Sequence, residues 1–154
     1  MGSAGTFVET GKGHSKTEIY NNGTSTWTSK KDYPYHKEIR AFEVVQFSSN
    51  FLVFGGFDQA NMKIITTIAK FDPNLDEWSK MGNLQYARDY FGLIEFEDKY
   101  LVMDGSREKR TEICEVTDDQ IDCETREPTV ENFLFNPAMM VVPEDSVNQC
   151  KKQT

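Results

Sequence analysis

The chain has 154 residues, the size of one ordinary domain, with a net charge of −8 and a pI of about 4.8. With no basic footprint it is not suited to nucleic acid or an anionic membrane, and no apolar run approaches the roughly 18 residues a membrane-spanning helix needs. The acidity is local: residues 112–145 hold ten acids against Arg126 alone, while residues 1–111 sum to −1. That segment reads as a solvated outer edge, with a docking patch for a basic partner as the sharper alternative. Asp118, Asp119 and Asp122 lack the spacing of a calcium loop.

Taken in chain order, MGSAGTFVETG shows neither a basic stretch nor the apolar core of a secretory leader. Thr6–Gly11 reads as the end of a strand whose partner is missing. GTFVETGKG (5–13) is one residue too long for a phosphate loop, and Gly13 follows Lys12 where Ser or Thr is required. KTEIY (16–20) is a strand, Asn21–Ser25 a turn, and Thr26-Trp27 opens the next strand. His14 and His36 are isolated loop histidines, a poor metal pair.

From Arg40 the chain writes FEVVQF, a Ser-Ser-Asn turn, then FLVFGG. About 48 residues later, after Arg88, it writes YFGLIEF, a Glu-Asp-Lys turn, then YLVMDG. Each break leads to a third strand, a turn and a fourth strand. Phe71 precedes Trp78 by seven positions, as Tyr20 precedes Trp27. Such a repeat fixes the architecture before any local assignment. The unit is four strands, a (40–47), b (51–55), c (64–71) and d (76–80), joined by turn formers such as Asp72-Pro73 and Asn22-Gly23. Strands a and b are apolar almost throughout, which predicts burial on both faces. The expected fold is all-β.

Gly55-Gly56, an aromatic at Phe71 before Asp72-Pro73, and then Trp78 together resemble the kelch repeat. The likeness is full over 40–84. It is degraded over 1–36, where only strands b to d are present, and over 88–128, where Asp104-Gly105 replaces the double glycine. Residues 131–142 look like one further strand, and the tail 143–154 is similar to the end of some secreted invertebrate kelch-like proteins. The resemblance implies a partial β-propeller of about two complete four-stranded blades with partial blades at each end. Closed propellers take four to eight, so the remaining blades are expected from missing sequence or another chain. It also implies structural roles. Trp27 and Trp78 become plates between blades, Gly55, Gly56 and Gly105 permit close turns, and Arg40 and Arg88 donate to carbonyls of a neighbouring blade.

Cys114, Cys123 and Cys150 all fall in the last 41 residues. In one register of the c–d hairpin, Cys114 and Cys123 stand directly opposite, within disulfide reach. In another, set by the spacing of seven, Val116 faces Cys123 where the other copies have Trp. The sequence leaves both open, with Cys150 seeking a partner elsewhere. Asn22-Gly23-Thr24 is an N-glycosylation sequon in a turn. Disulfide and sequon together lean towards an extracellular protein, the alternative being a cytoplasmic one with reduced thiols.

No nucleophile elbow, zinc-protease helix or dinucleotide fingerprint is present, so neither catalytic residues nor a cofactor or metal is assigned. The expected function is a non-catalytic protein-interaction module. Its candidate contacts are Phe57, Met62 and Tyr86, in loops 57–63 and 83–89, with the turns at 48–50 and 97–99. The partner protein is not named by the residues. The alternatives are a fragment of a propeller enzyme of galactose-oxidase or sugar-modifying type, and the recognition part of a ubiquitin-ligase adaptor whose BTB region is missing.

Overall fold

The structure is a computed structural model that describes residues 14–117 and 119–126. Among these residues there is no helix, and thirteen strands account for the regular structure. A first hairpin pairs β1 (Thr17–Asn21) with β2 (Thr26–Lys30). The chain then crosses through β3 (Ile39–Arg40) into a four-stranded antiparallel sheet. Its strands are β4 (Glu43–Phe47), β5 (Asn50–Phe54), β8 (Thr67–Asp72) and β9 (Glu77–Asn83). Between β5 and β8, a small hairpin of β6 (Phe57–Asp58) and β7 (Lys63–Ile64) pairs with β3 instead. A second four-stranded sheet follows, from β10 (Gly92–Phe96), β11 (Lys99–Met103), β12 (Thr111–Val116) and β13 (Ile121–Arg126). One parallel bridge, Ile121 to Gly82, joins the two into a single eight-stranded array.

Turn chemistry explains the hairpins. Glu97 and Asp98 both take positive φ (50° and 60°) between Phe96 and Lys99, the backbone of a type I′ turn that suits the twist of paired strands. The Oδ1 of Asp72 accepts from the amides of Asn74 and Leu75, and the Oδ1 of Asn21 accepts from those of Gly23 and Thr24. These are the same side-chain-capped turn, which is why Asn and Asp recur there.

Burial on both faces holds for β5. Leu52 and Phe54 enter one apolar cluster, with Ile68, Met81, Phe91, Tyr100 and Val102, between the two large sheets. Val53 enters the other, with Tyr33, Ile39, Ile65 and Ala69, beneath the crossing segment 31–42. Each fully buried side chain of this size is worth about 1.5–3 kcal/mol.

The structure corrects three details of the repeat. Strand a begins at Glu43, because Ala41 turns the chain with a φ of 53°. Its counterpart is Tyr90, with a φ of 52°, so the inner strands repeat at 49 positions and not 48. Arg40 therefore matches Asp89, and Arg88 matches Ile39. The stretch 57–63 contains paired backbone at Phe57, Asp58 and Lys63 and is not simply a loop.

The two cysteine registers are also resolved. Cys114 stands opposite Cys123 and the two are joined by a disulfide. Phe51 pairs with Phe71, and its counterpart Tyr100 pairs with Cys114. Cys114–Cys123 thus occupies the place of Phe71–Trp78, across a turn two residues longer. The Val116 register fails because Val116 faces Ile121. Thr6–Gly11, residues 131–142, the tail and Cys150 lie outside the described residues.

Candidate functional site

In both large sheets the b–c and d–a connections emerge at one end of the strands, and the a–b and c–d turns at the other. The candidate contacts Phe57, Met62 and Tyr86 all fall at the first end. Met62 sits at the tip of the β6–β7 hairpin, 75% exposed, with a φ of 53°. Phe57 is half-buried, with the Arg40 guanidinium 5.0 Å from its ring centroid. Tyr86 is half-buried beneath Arg110, at 4.6 Å. Both rings thus carry a cation on one face.

Two polar clusters fix these loops. In the first, His36 Nδ1 lies 2.8 Å from Asp58 Oδ2, and its Nε2 lies 3.2 Å from the Thr67 hydroxyl. Asp58 is fully buried and accepts from the amide and side chain of Asn61. Burial pushes its carboxyl up, but the hydrogen bonds from Asn61 and His36 prevail and hold it below the usual range. The cluster sets the angle of the hairpin that presents Met62. A hydroxyl, an imidazole and a carboxylate in a row can also relay a proton.

In the second cluster Arg88 and Glu112 form an ion pair at 3.0 Å, both side chains wholly buried. Arg88 also donates to the carbonyl of Asp104 at 2.6 Å, and Glu112 accepts the amides of Gln85 and Tyr86. Four contacts therefore pin the loop that carries Tyr86. Asp104 is buried, and its Oδ2 has no hydrogen-bond partner among the described residues. Burial raises its pKa, opposed by Arg88 and Lys109.

The remaining repeat residues have mainly structural surroundings. Trp78 leans on Phe71, meets Tyr33 edge-on at 5.0 Å and donates from Nε1 to the carbonyl of Lys31. Trp27 is 47% exposed and rests on Tyr20. A Cβ on Gly55 would lie 2.8 Å from the carbonyl oxygen of Arg88, and one on Gly56 2.9 Å from that of Arg40. Gly105 takes a φ of 132°. The buried Nε of Arg40 finds no partner among the described residues, and neither does the Nη2 of Arg88. Asn22 is exposed at a hairpin tip.

Sequence reading missed the role of Asp58, Glu112 and Asp104. A carboxylate inside an apolar strand, as Glu112 is in TEICEV, was the available signal. As for metals, the ligand atoms of Glu112, Cys114 and Cys123 lie within 4.8 Å of one another, but the thiols are bonded together and the carboxylate is held by Arg88. A cleft of about 70 Å³ lies between the first hairpin and the next sheet, lined in part by Lys16, Glu18, Trp27, Tyr33 and Trp78. Sites for drug-sized ligands run to several hundred Å³.

The described residues define an all-β protein built on two consecutive four-stranded antiparallel sheets, each followed around the same core. No family model matches the chain, and no curated protein matches it. Among solved structures it is similar to that of YjhT, with a TM-score of 0.66 and 13% identity over 77% of this chain. At that identity the likeness shows the fold alone. The chain spans 44% of the length of YjhT. No helix among the described residues is long and apolar enough to cross a membrane.

Proposed function

We propose that this chain forms part of a kelch-type β-propeller and serves as a protein-interaction module. It binds its partner at the end of the strands where the b–c and d–a connections emerge. One observation carries the reading. The second large sheet forms the same four strands with no hairpin between b and c, so β6–β7 is surplus to the sheet. That surplus projects Met62 into solvent at the tip of the hairpin whose base holds Phe57, and the buried Asp58 carboxylate anchors it. Flexible Met and rigid aromatic side chains are what contact surfaces select. The disulfide favours an oxidising compartment.

The test is affinity capture with the full chain and with Met62→Glu and Tyr86→Ala variants. A specific partner should be lost with both variants while thermal melting is unchanged. Retention of every partner by both variants overturns the assignment.

A second reading, a propeller enzyme, draws on the Thr67–His36–Asp58 row. Turnover abolished by both His36→Gln and Thr67→Val would favour it over a binding module.

A further inference from the structure

We propose that Asn22 carries an N-linked glycan. Asn22-Gly23-Thr24 is the one Asn-x-Ser/Thr of the chain. The structure places it at the tip of the β1–β2 hairpin, where every residue from Asn21 to Ser29 is exposed. The turn does not use the Asn22 side chain. Its capping acceptor is Asn21, which bonds the amides of Gly23 and Thr24 at 2.9 and 3.2 Å. In the sister turn the same two bonds come from Asp72, and Pro73 stands where Asn22 does here. The position thus tolerates a residue with no polar side chain at all. Asn22 has no structural task that a sugar would disrupt, and it belongs to neither apolar cluster.

A second observation favours a compartment where such a sugar is added. Cys114 and Cys123 are bonded and buried in the core between the large sheets. Disulfides form and persist in the secretory compartments, and N-glycosylation takes place at their entrance. The donor is an oligosaccharide on a lipid diphosphate, supplied with its transferase. Asn22 Nδ2 bonds to the anomeric carbon as the bond from that carbon to the diphosphate oxygen breaks. The diphosphate leaves with the electron pair, and the amide proton passes to the transferase.

The experiment produces the full chain behind a secretion leader in eukaryotic cells. Both secreted and membrane-enclosed intracellular chain are collected, so the result does not depend on export. The expected result is a single slower band that collapses on treatment with peptide N-glycosidase, with Asn22 recovered as aspartate on peptide mapping. Thr24→Ala should abolish the shift and Thr24→Ser should retain it, both with Asn22 intact. Unmodified Asn22 in chain whose Cys114–Cys123 bond has formed overturns the proposal. So does a shift that survives Thr24→Ala.

Discussion

The two seams of this molecule solve one packing problem with different chemistry. Where segment 31–42 lies on the first large sheet, Ile39 and Ala69 meet in an apolar cluster, closed by Phe71, Trp78 and Tyr33. Where segment 84–91 meets the second large sheet, the same positions hold Arg88 and Glu112, and the aromatic pair has become Cys114–Cys123. The exchange is local, because the strands around it keep their pairing. An apolar seam needs only shape. An ionic one must satisfy the charges it buries: Glu112 accepts the amides of Gln85 and Tyr86 in the loop, and Arg88 donates to the carbonyl of Asp104, while its Nη2 has no partner among the described residues. The second seam therefore holds its d–a loop more tightly than shape alone would.

The largest test of this contrast removes half of the ion pair. Glu112→Ala leaves the Arg88 charge buried without its carboxylate and should cost about 3–5 kcal/mol in denaturant unfolding. Adding Arg88→Ile recreates the Ile39–Ala69 pair of the other seam and should recover most of that loss. A double variant as unstable as the single one would show that the two seams are not interchangeable.

Breaking the covalent link comes next. Cys114→Ala with Cys123→Ala should cost about 2–3 kcal/mol, since the bond closes a short loop. Cys114→Phe with Cys123→Trp should restore part of it if the position truly matches Phe71–Trp78. Equal melting of the two double variants would count against that match.

The smallest effect compares one aspartate from each seam, read as stability against pH. The folded pKa of Asp58 is lowered, so its contribution is present above the ordinary carboxylate pKa of about 4 and is lost as pH falls through the folded value. The folded pKa of Asp104 is raised. Its contribution is present below about pH 4 and is lost as pH rises through the folded value. Asp58→Asn should weaken the acid dependence of melting, and Asp104→Asn should raise stability at neutral pH, by about 1 kcal/mol or less. The opposite order would reverse the assignment of these two carboxylates.

The all-β fold was legible because the repeat states it twice, with apolar runs, turn residues and aromatic spacing in agreement. Residues Phe71 and Trp78 do pair across their hairpin as the spacing of seven predicts. The register of the cysteines was not legible, because the turn between them is longer and a spacing rule tuned to the sister turn misplaces Val116. Nor was the difference between Arg40 and Arg88. A one-residue offset hides in sequence, yet it moves a side chain to the other face of a strand. For the candidate contacts Phe57, Met62 and Tyr86 the sequence left exposure and inward packing open, and of the three Met62 stands among the exposed large hydrophobics. The buried carboxylates that hold the loops were not legible, since the basic side chains facing Asp58 and Glu112 lie 22 and 24 positions away in the chain.

The b–c connection shows where this architecture keeps its slack. Val53 reaches its partner Ala69 sixteen positions on, whereas Val102 reaches Glu112 in ten. The b–c pairing runs without a register shift in both sheets despite the difference. Length can be added or removed at that point without moving a strand, because both ends of the insert are already clamped by backbone hydrogen bonds, from Gly55 to Thr67 and from Ile65 to Gly56. For a protein engineer this is a grafting port. A foreign loop spliced between Asp58 and Lys63 would keep the Phe57–Ile64 and Asp58–Lys63 pairs and the His36 contact that set its angle.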